Sequence, residues 1–368
     1  MPRPAGSAIK KEFSRLLLGW NRHENKRQMP WKGEKDPYRI WLSEIILQQT
    51  RVEQGLDYYK RFVAAFPNVH KLARAADATV FKLWEGLGYY SRCRNLLFTA
   101  RYISKELKGR FPVTYEEIKA LKGIGPYTAA AITSFAYNLP HAVVDGNVYR
   151  VLARVFGLSV PTDSAGGKKL FSHLAEELMD KKQPGLYNQA IMDFGAVVCK
   201  PVSPHCGTCV FRKHCTAFIQ NKTTELPVKE KKARIRKRWF YYLVTEYKQA
   251  GWNSRTAIRQ RTEKDIWKDL YEFVLVERDT ETPAAEILSL AEKKGWLPKG
   301  GYPKPDISAV FTQQLSHQLI SGRFIRIKLK RKPPLPESWQ WVEEKTMAKY
   351  TFPRFINQYL EEQGIRSS

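Results

Sequence analysis

Acidic residues are scarce in this chain: 36 Asp and Glu stand against 62 Lys and Arg in 368 residues, a formal net charge of +26. Such an excess of positive charge predicts a polyanionic partner, and nucleic acid is the commonest one. An anionic membrane surface is the competing interpretation. The charge balance alone therefore favours nucleic-acid binding.

Long apolar runs are also missing, because no stretch approaches the roughly 20 residues that a membrane span needs. The start, MPRPAGSAIKKEF, lacks the uninterrupted apolar core of a signal peptide. We expect a soluble, monomeric, cytoplasmic protein that is associated with the nucleoid through DNA and has no membrane partner.

Strand-like alternation is absent before about residue 238, where apolar residues instead recur at helical spacing. WFYYLVTEY, YEFVLVE and RFIRIKLK then indicate strands, with helical segments near 283–295 and at PRFINQYLEEQ. The pattern predicts a mainly α region over 1–223, a basic linker over 224–238 and an α+β domain over 239–368.

The predicted linker contains seven basic residues between Lys229 and Arg238. A solvated linker and a strap that contacts phosphates are both consistent with this run.

Cysteines number only five, and four of them have the spacing Cys199-x6-Cys206-x2-Cys209-x5-Cys215. A cluster of this kind in a large intracellular protein favours a metal over disulfides. Four thiolates suit either a tetrahedral zinc ion or a four-iron cluster, and the spacing only weakly separates the two.

A helix–turn–helix corner is predicted at LKGIGPYTA, with glycines at Gly123 and Gly125 and a helix beginning near Pro126. The free amides of a first helical turn can bind a phosphate oxygen. An ordinary corner in a helical core is the alternative for a lone Gly-x-Gly.

Several motifs together resemble one family. The cysteine pattern after LKGIGPYTA and VDGNVYRVLARVFG is typical of the endonuclease III superfamily of base-excision DNA glycosylases. Within it, PWKGEKDPYRIWLSEIILQQTRV and WEGLGYYSRCRN resemble the adenine DNA glycosylases of the MutY type. The resemblance implies a helix-hairpin-helix fold of two lobes: a six-helix module over about 29–138, and a lobe from 1–28 and 139–223 in which the four cysteines hold a [4Fe–4S] cluster.

Two carboxylates are candidates for hydrolysing an N-glycosidic bond, which needs a proton donor and a negative charge near the developing cation. Glu44 lies among apolar residues, where burial would raise its pKa, although an exposed glutamate on the polar side of a helix is the alternative. Asp145 precedes a predicted helix, where N-capping would keep it ionised and fixed in direction. The resemblance implies that Glu44 protonates adenine, that Asp145 stabilises the cation with support from Asn147, and that the site lies between the lobes.

A lysine is missing where related strand-cutting enzymes place a Schiff-base amine, since Tyr127 follows the turn. β-Elimination through an imine is therefore not expected, which predicts a monofunctional glycosylase. Lys122, Gly123 and Gly125 are expected to contact the DNA backbone.

The resemblance also implies a set of residues that read the lesion. Those predicted around the opposite 8-oxoguanine or as wedges are Gln49, Thr50, Leu87 and Tyr89, and those predicted at the flipped adenine are Gln189, Trp31 and Arg39.

The C-terminal domain resembles the Nudix-like module of these glycosylases but lacks the paired glutamates of a nucleotide hydrolase. We expect a recognition module in which Ser316 and His317 contact 8-oxoguanine. Leu315 replaces the family's phenylalanine, which puts an aromatic contact in doubt.

Together these features predict a monofunctional glycosylase that binds double-stranded DNA and removes adenine mispaired with 8-oxoguanine or guanine. Two alternatives remain: a bifunctional glycosylase/lyase for oxidised pyrimidines, and a non-catalytic iron–sulfur DNA-binding protein.

Overall fold

The computed structural model describes residues 6–230, 235–248, 253–333, 336 and 338–366. By its internal contacts the chain forms two compact units. The first comprises Met1–Ala75 and Arg94–Lys232, and the second comprises Ala76–Cys93 and Ala233–Ser368.

In the part of the chain before β1 that the structure describes, the regular elements are helices, as predicted. In chain order they are α1 (Gly6–His23), α2 (Pro37–Leu47), α3 (Val52–Ala65), α4 (Val69–Arg74), α5 (Asp77–Trp84), α6 (Tyr90–Lys105), α7 (Tyr115–Ala120), α8 (Pro126–Tyr137), α9 (Gly146–Phe156), α10 (Ala165–Leu178), α11 (Pro184–Val197) and α12 (Thr216–Ile219), with a 3-10 turn at Cys206–Thr208.

Local sequence sets many of these helix starts. Asp36 caps α2 immediately before Pro37, and Thr114 and Glu117 form a capping box on α7. Ser164 caps α10 through the amide of Gly167. Each cap satisfies amides that a helix leaves without an internal partner, so these short helices begin at defined residues.

An aromatic core joins α1, α9 and α11 in the first unit. Phe13 stacks on Phe211 with 4.7 Å between ring centroids, and Trp20 meets Phe194 edge-on at 4.9 Å. These rings are buried together with apolar residues of α9 and α10. The core therefore fixes the N-terminus of α9, where Asp145 lies.

The second unit is built on one mixed sheet. Its strands are β1 (Arg236–Tyr247), β2 (Arg255–Gln260), β3 (Tyr271–Glu272), β4 (Val274–Arg278), β5 (Asp306–Ile307), β6 (Phe311–Gln314), β7 (Gln318–Leu329) and β8 (Trp339–Glu343), and its later helices are α13 (Ala284–Lys293) and α14 (Arg354–Glu362). Strand β1 pairs in parallel with β7 and antiparallel with β4 and β2.

Several sequence predictions differ from this fold, and strands β5, β6 and β8 were not predicted at all. The single strand predicted at YEFVLVE is divided between β3, which pairs with β2, and β4, which pairs with β1. Strand β2 was not predicted, because its RTAIRQ sequence has only two central apolar residues. The predicted linker ends early, since β1 begins at Arg236; its residues 231–234 lie outside the described residues.

Residues 76–93 were predicted within the helical module but group with the C-terminal unit. Glu85 explains this, because it accepts hydrogen bonds from the amide of Phe352 at 2.9 Å, Asn357 Nδ2 at 3.1 Å and Arg366 Nη1 at 2.9 Å. A local pattern could not predict contacts between residues so distant in sequence.

Among the helices that the structure describes, none has the length and apolar character that crossing a bilayer requires.

Candidate active site and cysteine pocket

Glu44 lies on α2, a helix whose residues from Ile40 to Ile46 are all buried. The Glu44 residue is 8% exposed, so the alternative of a solvent-facing glutamate is wrong. Burial raises the pKa of Glu44 to about 7, a hydrogen bond from Tyr127 lowers it, and the charge of Asp145 raises it. Glu44 is therefore a carboxyl group that can hold a proton near neutral pH.

Asp145 is the N-cap of α9, as its position before the helix predicts. Its Oδ1 accepts from the amides of Asn147 at 2.9 Å and Val148 at 2.8 Å, and its Oδ2 accepts from Asn147 Nδ2 at 2.8 Å. Burial raises the pKa of Asp145, while these hydrogen bonds and the charge of Arg150 oppose the rise. The capping hydrogen bonds thus reduce the rise in the Asp145 pKa that burial causes, but the pKa stays raised.

Tyr127 lies on the first turn of α8, where the charges of both Glu44 and Asp145 act on its phenol. Its hydroxyl hydrogen-bonds Glu44 and lies 3.4 Å from Met192 Sδ. Burial and the charges of Glu44 and Asp145 raise the pKa of Tyr127, so the phenol stays neutral. The structure brings together Glu44, Tyr127 and Asp145, which are far apart in sequence.

The environments of the two carboxylates differ in their donors. Asp145 has three N–H donors and the nearby charge of Arg150, whereas Glu44 has the Tyr127 hydroxyl. N–H donors stabilise an ionised carboxylate, so a single proton shared by the pair resides on Glu44. The arrangement can therefore supply a protonated acid at Glu44 and an anion at Asp145.

The predicted hairpin lies between α7 and α8. Gly123 has φ +83°, and a Cβ there would lie 2.6 Å from Asn95 Cβ, so glycine is required at this position. Gly125 has the ordinary extended φ of −94° and provides no side-chain cap for α8. A Cβ at Gly125 would contact nothing, which leaves open space beside the free first-turn amides.

Lys122 is exposed in the same hairpin, and its Nζ lies 4.2 Å from the centroid of the Phe98 ring. The exposed ammonium group suits a phosphate contact.

The four clustered cysteines line one small pocket with the apolar side chains of Val155, Phe194 and Phe218. Arg154 donates to Cys199 Sγ at 3.5 Å, and Cys215 Sγ donates to the carbonyl of Arg154 at 3.4 Å. Burial raises the pKa of the Cys199 and Cys215 thiols.

Within the described part of the chain, no three His, Cys, Asp or Glu side chains converge as ligands of one metal ion. A four-iron cluster instead distributes its four thiolates over four irons, so a common pocket is the arrangement it needs.

Comparisons with known proteins agree with this geometry. Residues 42–176 match the HhH-GPD superfamily base excision DNA repair protein family, and residues 250–362 match the NUDIX domain family. The chain is 35% identical over 283 residues to the adenine DNA glycosylase of Buchnera aphidicola subsp. Acyrthosiphon pisum, which covers 77% of this chain and 78% of that protein. The chain belongs to the adenine DNA glycosylase family.

Two further similarities are to another adenine DNA glycosylase and to a solved structure of a different glycosylase. The Rattus norvegicus adenine DNA glycosylase is 43% identical over 228 residues, which covers 58% of this chain and 44% of that protein. A thermostable thymine-DNA glycosylase structure matches with a TM-score of 0.55 and 28% identity, over 59% of this chain and 99% of that one. This adenine DNA glycosylase family member is therefore a base-excision-repair hydrolase that acts on N-glycosidic bonds.

The residues predicted at the adenine pocket of the glycosylase lie in the first unit. Trp31 meets the ring of Tyr59 edge-on, with 5.4 Å between centroids. Gln189 on α11 donates from Nε2 to Asp193 Oδ1 at 3.0 Å. Arg39 is held by the carboxylate of Glu34 at 3.3 Å, which orients its side chain by an ion pair.

The turn after α2 holds Gln49 and Thr50. Gln49 is exposed and has φ +57°, an uncommon left-handed conformation for a residue other than glycine. Thr50 donates from Oγ1 to the carbonyl of Gln48 at 3.4 Å. Backbone strain of this kind is often found at functional positions, which is consistent with the predicted place of Gln49 beside the DNA.

The second unit contains the other predicted recognition residues. Tyr89 is 42% exposed, has φ +48° and hydrogen-bonds Ser316, while His317 is also exposed. Leu87 is buried, and its amide donates to the carbonyl of Trp84 at 3.0 Å. Of Leu87 and Tyr89, two of the four residues predicted around the opposite base or as wedges, only Tyr89 is exposed.

Sequence reasoning missed Arg150 and Asp193. Arg150 donates to Asn147 Oδ1 at 2.8 Å and thereby orients the amide that contacts Asp145. The i, i+3 spacing of Asn147 and Arg150 on α9, and the i, i+4 spacing of Gln189 and Asp193 on α11, were the available signals.

Proposed function

We propose that this glycosylase hydrolyses the bond between adenine and deoxyribose where adenine is mispaired with 8-oxoguanine or guanine in double-stranded DNA. The observation that supports this most directly is the pair of unlike carboxylates: Glu44 with a pKa of about 7, and Asp145 with three N–H donors. Burial of Glu44 provides an acid, and the donors at Asp145 provide a fixed negative charge.

In the proposed reaction, protonated Glu44 gives its proton to the departing adenine as the bond between base and C1′ breaks. The bonding electrons leave with the base, and positive charge develops on the sugar. The Asp145 carboxylate stabilises that charge. Ionised Glu44 then accepts a proton from the water whose oxygen bonds to C1′, which restores the acid and balances the hydrolysis.

We propose that the enzyme is monofunctional, because the phenol of Tyr127 occupies the position where a lyase needs an amine. Lys122 lies before the turn, and its ammonium group is over the Phe98 ring. The hairpin with Lys122, Gly123 and Gly125 is proposed to bind a DNA phosphate through the free amides of α8 and the lysine charge.

Ser316 and His317 are proposed to recognise the base opposite adenine. Both are exposed at the end of β6, and hydroxyl and imidazole groups can hydrogen-bond the N–H and carbonyl groups by which 8-oxoguanine differs from guanine. Gln49, Thr50 and Tyr89 are proposed as further contacts around that base.

Cys199, Cys206, Cys209 and Cys215 are proposed to hold a [4Fe–4S] cluster, since all four line one pocket with apolar walls. When bound, such a cluster would crosslink the segment 199–215 through covalent metal–thiolate bonds. Purified protein should contain about four iron and four sulfide per chain. One zinc per chain would contradict the cluster and support the other metal that this spacing allows.

The test of function uses duplexes in which adenine lies opposite 8-oxoguanine, guanine or thymine, treated with the purified full-length enzyme. We expect strand cleavage after alkali for the first two duplexes and none for the third. Cleavage without alkali, or a covalent DNA complex trapped by borohydride, would instead identify a lyase.

The control is Glu177→Gln, which removes an exposed carboxylate that pairs with Lys10 at 2.8 Å. It should retain activity, whereas Glu44→Gln should bind duplex and release no base. Damage-specific binding without turnover by the unmodified enzyme would support a non-catalytic DNA-binding protein.

A further inference from the structure

Asp193 is a buried carboxylate outside the catalytic pair, and its side chain has no exposed surface. Four N–H groups surround it. Oδ1 accepts from Arg27 Nη1 at 2.8 Å and Gln189 Nε2 at 3.0 Å, and Oδ2 accepts from Asn25 Nδ2 at 2.9 Å and Lys32 Nζ at 3.2 Å. Each oxygen therefore accepts two hydrogen bonds, and Arg27 and Lys32 form ion pairs with this carboxylate.

An ionised carboxylate accepts hydrogen bonds and cannot donate them. The amide group that Gln189 turns towards Asp193 must therefore be its NH₂, and the Gln189 oxygen must point the other way. In the residues that the structure describes, that oxygen accepts no hydrogen bond. By binding the NH₂ group, Asp193 fixes the direction of the Gln189 oxygen, a hydrogen-bond acceptor on a partly buried side chain of α11.

The same carboxylate joins Gln189, predicted at the adenine pocket, to Lys32, the neighbour in sequence of the predicted pocket residue Trp31. Lys32 follows Trp31 in sequence, and Gln189 lies four positions before Asp193 on α11. Met192, on the same helix, lies 3.4 Å from the hydroxyl of Tyr127. The helix that carries Gln189 and Asp193 therefore also contacts Tyr127, through Met192.

We propose that Asp193 is a positioning residue that sets base specificity: it locks the Gln189 amide with its oxygen towards the base. This inference rests on the proposed function. An acceptor matches the exocyclic amine of adenine, and it repels the carbonyl oxygen that guanine and hypoxanthine have at the same position. Without Asp193 the amide can rotate by half a turn and present its NH₂ to a carbonyl.

The variant Asp193→Asn tests this, because asparagine keeps the shape but can both donate and accept. Release of adenine and of hypoxanthine, each opposite 8-oxoguanine, is measured under single-turnover conditions. We expect the preference for adenine to fall by about tenfold, the size of one directed hydrogen bond, with an absolute gain in hypoxanthine release. Structural damage alone would slow both reactions and leave their ratio unchanged, which would overturn the proposal.

A matched control exists on the surface, where Gln183 Nε2 donates to Asp180 Oδ2 at 3.4 Å. Asp180→Asn removes the same charge beside a glutamine and should leave the preference unchanged. In a Gln189→Met background, Asp193→Asn should have no effect on the preference. A persisting effect there would show that Asp193 acts through another group and would contradict the proposal.

Loss of the counter-charge can leave Arg27 and Lys32 unpaired and destabilise Asp193→Asn. If that variant is unstable, the charge-balanced double variant Asp193→Asn with Lys32→Met is assayed in its place. We expect the same fall in the preference for adenine over hypoxanthine. Failure of the unmodified enzyme to release adenine would contradict the proposed function. Normal adenine release with an unchanged preference in the variants would contradict the role of Asp193 alone.

Discussion

The proposed catalytic carboxylates of the first unit and the proposed recognition loop of the second differ most in their contact with water. Glu44 is 8% exposed on a helix whose neighbouring residues are buried, whereas Ser316 and His317 are exposed. Desolvation changes the proton affinity of a buried carboxyl group, whereas an exposed hydroxyl or imidazole contacts DNA through hydrogen bonds that compete with water. Changes in the first unit should therefore have much larger effects on base release than changes in the second.

The largest effect is expected for Glu44→Gln. Glutamine keeps the shape of the side chain but cannot give a proton, so single-turnover release of adenine should fall by about 10²–10⁴-fold. Duplex affinity, measured by fluorescence anisotropy, should stay the same. A release rate within tenfold of that of the unmodified enzyme would show that Glu44 is not the acid.

Asp145→Asn should have a smaller but still large effect of roughly 10²–10³-fold. Asparagine is also a good N-cap, so the variant removes the charge while α9 keeps its cap. The thermal unfolding midpoint should therefore change little while single-turnover release falls. A loss of activity in parallel with a large loss of stability would indicate that Asp145 acts mainly through the cap.

The pH dependence of adenine release also distinguishes the buried carboxylates from the exposed loop. Burial holds the pKa of Glu44 at about 7, and only its protonated form can donate. Release should therefore fall about tenfold per pH unit above about pH 7. It should also fall at low pH, where protonation of Asp145, whose pKa burial raises, removes the charge that stabilises the cation. Ser316→Ala should show the same profile; a rate that stays level to pH 9 would contradict Glu44 as the acid.

The smallest effect is expected at the exposed loop. Ser316→Ala and His317→Ala should each lower the preference for adenine opposite 8-oxoguanine over adenine opposite guanine by roughly threefold to tenfold, since each removes one exposed hydrogen bond. Thr312→Ala removes another exposed hydroxyl of the same unit and serves as the control. An unchanged preference in both loop variants would contradict recognition by this loop.

The sequence by itself determined the class of fold and the identity of the chemical groups. Helical spacing, the Gly-x-Gly corner and the cysteine spacing are local patterns, and local patterns depend on neighbours a few positions away. The same is true of the N-cap at Asp145, which the structure confirms. The absence of an amine at Tyr127 needs no structure at all.

Only the tertiary structure decided the electrostatics and the partners. Glu44 and Asp145 are 101 positions apart (145 − 44), and the pKa of Glu44 depends on the atoms that exclude water around it. Long-range packing likewise buried Leu87, joined Glu85 to the C-terminal unit and surrounded Asp193 with four donors. Desolvation and distant contacts are properties of the folded chain, because they arise from residues that no local pattern relates.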